Sequence, residues 1–418
     1  YGGIALLILL AGMLVSVHLE GYSRSLSAAE VDKLKILVRL MTANTAVFLP
    51  FSVFSSLTVV HERYLFNRLI NILSTVAAPC LNLAMLYGGF ASVGLVAAGT
   101  LLNLISYAAY TIYAVCRLNI RPRFGWRCPG LLREIFVFSA FAFLGSMVDI
   151  LYWATDKLII GWAVGAAAVT IYNVGASFNS YVTSLSTAIS GVLMPRITSM
   201  VTRETPSEEF SDLFIKVGRL QFLVVSFIVS AFVVFGRQFL ALWVGVGYEE
   251  AYPVALLTML PVTVPLIQNT GLNILYAMNR HRFRSVVYLI IALLNVALTF
   301  CWVERYGMIG AAAATCLAYL LGNVLIMNWY YARRIGLNIS RFWKNIGRMC
   351  PTVIVFLAAG LWTADHAALD SWPRFFTGAA IYTLLYLPAA YAFMMDRYER
   401  ELCIGVLKKL LRRRKRED

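Results

Sequence analysis

Charged side chains are scarce in this chain, and acidic ones scarcest: 21 Asp and Glu stand against 36 Lys and Arg, and charged residues make up only 14% of 418. The four histidines (His18, His61, His281, His366) are scattered, with no HExxH spacing and no paired carboxylate cluster, which argues against metal-assisted hydrolysis. Seven cysteines show neither a CxxC nor any other metal spacing. Cys80, Cys301, Cys316 and Cys350 fall in or at the edge of apolar stretches, while Cys116, Cys128 and Cys403 fall in basic connections. No cofactor is expected from these residues.

What is present is apolar. Hydrophobic residues reach 60% of the chain, in runs of roughly 18 to 25 residues, each long enough to cross about 30 Å of hydrocarbon. Twelve spans are expected, near 3–19, 37–60, 68–87, 91–115, 136–162, 169–193, 220–243, 254–277, 286–303, 308–330, 349–364 and 375–395. The fold class is therefore an all-α polytopic membrane protein.

A net charge of +15 would suggest nucleic acid in a soluble protein, but its distribution decides otherwise. The alternate connections at 61–68, 116–135, 194–219, 278–285, 331–348 and 396–418 hold 28 of the 36 Lys and Arg. The positive-inside rule puts those connections, and the C-terminus, in the cytoplasm. The run from Lys408 to Arg416 then reads as a cytoplasmic tail touching anionic headgroups, with no nucleic-acid role. On the opposite side the longest connection, about 20–36, is short.

One pattern occurs twice. Arg63-Tyr64-Leu65-Phe66 precedes a span holding Leu81-Asn82, a turn at Gly88-Gly89, and Val93-Gly94-Leu95-Val96-Ala97-Ala98. Arg280-His281-Arg282-Phe283 precedes Leu294-Asn295, a turn at Tyr306-Gly307, and Ile309-Gly310-Ala311-Ala312. The spacing between copies is about 216 residues and slips only in the loops. Two like-oriented lobes of six helices, related by an axis along the membrane normal, account for it, with two further helices at the C-terminus. By that register the first lobe lacks two helices before Tyr1, so fourteen spans are expected of the complete protein. The lobes are placed at 1–120, with four spans present, and 133–335, with six. The extra helices lie at 345–395 and the basic tail at 396–418.

An ionisable group at membrane depth costs about 2.5–3.5 kcal/mol and calls for a reason. Asp149 and Asp156 are seven apart, on one helix face, with Tyr152 and Trp153 on the same side and Lys157 beside them. That face should meet water or protein. Either it walls a cavity for a polar headgroup or a coupling cation, or Asp156 and Lys157 are interfacial and Asp149 is satisfied by a neighbouring helix. Asn173, Ser177, Ser180, Ser184 and Thr187 form one hydroxyl and amide stripe, which serves either cavity lining or helix packing. Gln268, Asn269 and Asn273 extend the polar set, as Asn71 and Asn82 do in the first lobe. Arg39 is placed to meet a phosphate or to snorkel. Asn82 and Asn295 read as structural hydrogen-bonding residues, and Pro261 with Pro265 marks either a flexible helix or a static kink.

Asp156-Lys157-Leu158-Ile159-Ile160-Gly161, then Gly165 and Ile171-Tyr172-Asn173-Val174-Gly175-Ala176, resembles the seventh and eighth helices of polysaccharide biosynthesis membrane proteins. Leu193-Met194-Pro195-Arg196-Ile197-Thr198 is similar to the sequence closing that unit, and Asn295 to Ala314 resembles the eleventh and twelfth helices. These are the O-antigen and exopolysaccharide flippases of the multidrug, oligosaccharidyl-lipid and polysaccharide exporter superfamily. The resemblance implies alternating-access transport of an undecaprenyl-pyrophosphate-linked oligosaccharide across a bacterial inner membrane, without enzymatic chemistry. It implies membrane lipids as partners and leaves open a polysaccharide polymerase acting alongside. A cation-coupled multidrug antiporter and a lipid II flippase share the superfamily fold. A polymerase or ligase fits poorly with short outer connections and a duplicated body.

Overall fold

The computed structural model describes residues 1–18, 28–120, 154–191, 193–203, 205–278, 282–366 and 369–402, with a few isolated positions besides. Among these residues every regular element is a helix. They divide into two compact units, Tyr1–Phe138 and Ser139–Asp418. Among the described residues seven helices are long and apolar enough to cross a membrane, eight when one bent pair is taken as a single span. The chain is an all-α polytopic membrane protein. The expected span at 136–162 lies mostly outside the described residues, as do Asp149, Tyr152 and the basic run from Lys408.

The first unit holds α1 (Gly2–Val17), α2 (Ala28–Val60), α3 (Tyr64–Tyr87) and α4 (Ala91–Cys116). Helix α2 packs against both α1 and α4, with Gly12 of α1 pressed on Thr42 of α2. Helices α3 and α4 form a hairpin. Gly89 at its tip takes φ +77°, a conformation that costs glycine nothing. Ser74 and Ser106 then meet at 3.1 Å, and the Phe66 ring stacks on Tyr113 with centroids 3.9 Å apart.

The second unit begins with α5 (Thr155–Ala163), α6 (Ala166–Gly191) and the short α7 (Met194–Thr202), which carries Pro195 in its first turn. Its axis is α8 (Ser207–Trp243), 37 residues and roughly 55 Å at 1.5 Å per residue. No other long helix has so much of its apolar window buried. Phe214, Val217, Val234 and Phe235 of α8 belong to the largest apolar core, with Phe342, Phe375 and Tyr386.

Helices α9 (Ala251–Ile267) and α10 (Asn269–Ala277) are two halves of one bent span, meeting at 50°. Helix α11 (Arg282–Tyr319) runs on through wider turns to Ile335, a stretch of 54 residues. As one rod it would measure about 80 Å, far more than a bilayer. It is not one rod. Gly307 sits at φ +56°, ψ −142°, and there the chain reverses. Tyr288 consequently donates to Asn323 at 3.0 Å, Gly322 lies on Ile291, and Thr315 reaches Asn295 at 3.3 Å. The turns at Gly89 and Gly307 each close a helical hairpin within their own unit.

After α12 (Ile339–Gly347) come α13 (Cys350–His366) and α14 (Trp372–Ala389). Beyond α14 the chain is tied back to α8. Glu399 accepts from Arg219 Nε and Nη2, both at 2.8 Å, and Met394 O takes a further Arg219 N–H at 2.9 Å. Asp396 and Glu399 also cap each other's backbone N–H, so the same carboxylate starts the helix that begins at residue 397 and neutralises an arginine.

Candidate functional site

Asp156 lies in the first turn of α5 and is 1% exposed. Four side chains donate to its carboxylate. Thr315 and Tyr172 hydroxyls reach Oδ2 at 2.6 and 2.9 Å, and Asn295 Nδ2 and the Thr299 hydroxyl reach Oδ1 at 3.2 Å each. Each donor is placed by its helix: Tyr172 by α6, Asn295 and Thr299 one turn apart on the first limb of α11, and Thr315 on the limb returning from Gly307. Gly175 lets α6 approach closely, since a Cβ there would stand 2.6 Å from Ala251 O. Gly310 does the same inside the hairpin.

No Lys, Arg or His forms an ion pair with Asp156 among the described residues. Four neutral donors match the four lone-pair positions of an ionised carboxylate, so the group is hydrogen-bonded to capacity without a counter-charge. A proton on Asp156 would turn one acceptor into a donor and force a hydroxyl to reverse. A hard metal ion would instead find carboxylate, amide and hydroxyl oxygens gathered within one shell.

The remaining sequence candidates separate into groups. Lys157 is half-buried on the other side of α5. Of the α6 stripe, Asn173, Ser180, Ser184 and Thr187 are exposed on the surface of their unit, and Ser177 is half-buried. Ser177, Ser184 and Thr187 donate to carbonyls of their own helix. The stripe does not pack α6 into its unit. That task falls to the neighbouring face, Tyr172, Gly175, Asn179, Val182, Ser186 and Ser190. Ser186 donates to Leu266 O at 3.0 Å and accepts from Gln221 at 3.2 Å. Ser190 accepts from Asn269 at 2.7 Å, and its carbonyl from Asn273 at 3.2 Å. Sequence spacing could have found this face too, since Gly175, Asn179, Ser186 and Ser190 recur at helical intervals of four, seven and four.

Gln268 sits at the break between α9 and α10 and donates to Asn328 at 2.8 Å. With Asn269 and Asn273 held by Ser190, the bend is fastened on two sides. Pro261 and Pro265 therefore belong to a pinned kink. Arg39, in the first unit, is exposed and lies 3.5 Å from Ser16. Asn71 is exposed and Asn82 half-buried. Asn295 is the residue whose role the sequence understated: it does bridge helices, and its partner is Asp156.

A polar cavity of about 210 Å³ lies farther along the α11 hairpin, away from the Gly307 turn. Gln268, Asn269 and Thr187 line it, and so do Arg284, Tyr288, Asn323 and Tyr331. Ile291, Ala292 and Ala318 fill the hairpin between this cavity and Asp156. Arg284 went unremarked in the sequence because its connection looked merely basic.

The long apolar helices and the fully hydrogen-bonded carboxylate among them belong to an all-α integral membrane protein. The sequence matches the family described as "Polysaccharide biosynthesis protein" over residues 6–253, more than half of the chain, and the chain belongs to that family. It is 22% identical over 300 residues to "Uncharacterized membrane protein EpsK" of Bacillus subtilis (strain 168), covering 69% of this chain and 58% of that protein. It is 19% identical over 207 residues to "Putative O-antigen transporter" of Shigella flexneri, covering 49% of this chain and 48% of the other. The matched segments thus span about half the length of these relatives. Among solved structures, "Lipid II flippase MurJ, inward closed conformation" shares the fold with a TM-score of 0.73 at 13% identity, over 94% of this chain and 82% of that one.

Proposed function

We propose that this protein is a flippase that carries an undecaprenyl-pyrophosphate-linked oligosaccharide across the bacterial inner membrane for surface polysaccharide assembly. The observation that carries the reading is membership of the polysaccharide biosynthesis family. The fold shared with a lipid flippase is consistent with it. In this reading two lobes, 1–120 and 133–335, alternate their access around a hydrated passage. The sugar headgroup crosses there while the lipid tail stays in the bilayer. The C-terminus faces the cytoplasm, and a polymerase acts downstream.

Asp156 is the proposed coupling residue. A carboxylate buried among four neutral donors gains or loses a proton or sodium ion at the cost of rearranging Thr315 and Tyr172, which tie three helices together. Cation occupancy is thereby linked to how those helices pack. Deleting the gene tests the flippase reading: surface polysaccharide should disappear while lipid-linked repeat units accumulate inside. Normal polysaccharide with altered drug tolerance alone would point to a multidrug antiporter instead. Asp156→Asn should abolish complementation at normal protein levels, and full complementation would remove Asp156 from the coupling role.

A further inference from the structure

Two arginines of the second unit are withdrawn from solvent, and they are treated differently. Arg219 is neutralised by Glu399 in a two-pronged pair. Arg284 has no such partner: it forms no ion pair among the described residues, and no acidic side chain lines its cavity. Its guanidinium carbon lies 4.1 Å from the Tyr288 ring centroid, and the Tyr288 hydroxyl is its hydrogen-bond neighbour, so one tyrosine occupies part of the group while further N–H groups of the fork have no acidic partner. Tyr288 is held in that position by its bond to Asn323.

A second donor opens on the same space. Tyr331 is 4% exposed, and its hydroxyl has no hydrogen-bond partner among the described residues, although buried tyrosine hydroxyls ordinarily find one. Both groups stand on the α11 hairpin, one on each limb. Other polar groups around the cavity are already spent: Gln268 donates to Asn328 and Asn269 to Ser190. The cavity therefore offers one positive charge, one free hydroxyl and about 210 Å³, the share of roughly seven waters. That is room for a phosphate or diphosphate group and too little for an oligosaccharide.

We infer that this cavity is an anion site inside the second unit, which takes a phosphate-bearing group on Arg284 and Tyr331. It lies among helices of a single unit, apart from the passage between lobes proposed for the sugar. Its ligand is either a free phosphate compound or the diphosphate end of a polyprenyl lipid entering from the side; both present the same oxygens to a guanidinium. The site stands whether or not the chain is a flippase. It also places an anion at one end of the hairpin whose other end holds Asp156.

Calorimetric titration of inorganic pyrophosphate into the full chain, held in phosphatidylcholine nanodiscs, tests the site. Saturable one-to-one binding that weakens with salt is expected. Arg284→Gln should weaken it roughly ten- to a hundredfold, as loss of a charge-assisted contact does. Arg284→Lys should retain most of the affinity, and Tyr331→Phe should fall between. Adding polyprenyl diphosphate to the nanodiscs separates the sources: competition assigns the lipid, and undisturbed pyrophosphate binding assigns a free anion. Absence of binding to the folded wild type in both arms overturns the site. So does equal affinity in wild type and Arg284→Gln when both unfold at the same temperature. Loss of transport with pyrophosphate binding intact would sink the flippase reading and leave this one standing.

Discussion

Thr315 donates its hydroxyl to Asp156 at 2.6 Å, across 159 positions of sequence. The contact exists because Gly307 folds the second limb of α11 back over the first, which brings Thr315 beside Asn295 and both of them to α5. It joins a carboxylate that is 1% exposed to the hairpin that also carries the Arg284 cavity.

Thr315→Val keeps the shape and removes the shortest donor. The carboxylate is left short of one bond in a dry site, and the protein should lose about 1–3 kcal/mol. Thermal unfolding in detergent reads the loss. Asp156→Asn puts an amide NH2 where donors converge and should cost about 1–3 kcal/mol. Unfolding at the wild-type temperature would mean that the four donors reorient without cost.

Gly307→Ala puts a Cβ on a backbone at φ +56°, ψ −142°, a region essentially reserved for glycine. A cost of about 1–3 kcal/mol is expected, with the hairpin loosened at its tip. Hydrogen exchange of the amides near Ile309 and Val303 should rise first. Unchanged protection there would show that the turn is not what holds the two limbs together.

Arg219→Ala and Glu399→Ala each strand a buried charge. Either single change should cost about 3–5 kcal/mol, and the double change should cost clearly less than the two combined. Simple additivity in the cycle would mean that the two charges do not act as a pair. Asp396, 3.6 Å from Arg219, is half-exposed and too far out to replace Glu399.

Ser190→Ala takes away the acceptor of Asn269 and leaves the bend between α9 and α10 held by Ser186, by Gln268 and by the Asn273 bond to the carbonyl of residue 190. A loss of about 1–3 kcal/mol is expected. The exposed Ser184→Ala, whose hydroxyl bonds only its own helix, should be silent within about 0.5 kcal/mol. Reversal of that order would restore the exposed stripe as the structural face of α6.

Much of the helix pattern was legible in the sequence because membrane crossing demands long apolar runs, and nothing else in a chain of this composition produces them. The glycine turns at Gly88-Gly89 and Gly307 were legible for the same local reason: a reversal between two spans needs backbone freedom that other residues lack. That Asp156 had to face protein or water followed from the cost of charge in lipid. Which neighbours would satisfy it did not follow. Tyr172, Asn295, Thr299 and Thr315 are separated from it by 16 to 159 positions, and only the packing of three helices makes them a shell.

The α6 face shows the limit most plainly. The period of 3.6 residues places Ser177, Ser180 and Ser184 on one face and Ser186 and Ser190 near the next, but periodicity has no sign that says which face turns inward. Tertiary contact with Leu266, Asn269 and Asn273 chose the second. The sequence by itself determined that this is a helical membrane protein with a charged residue that cannot face lipid, because solvation energy is a property of each residue and its depth. Only the tertiary structure decided that Glu399 neutralises Arg219 while Arg284 is left with a cavity, because a charge is paired or unpaired by what stands within a few ångströms of it, and sequence distance says nothing about that.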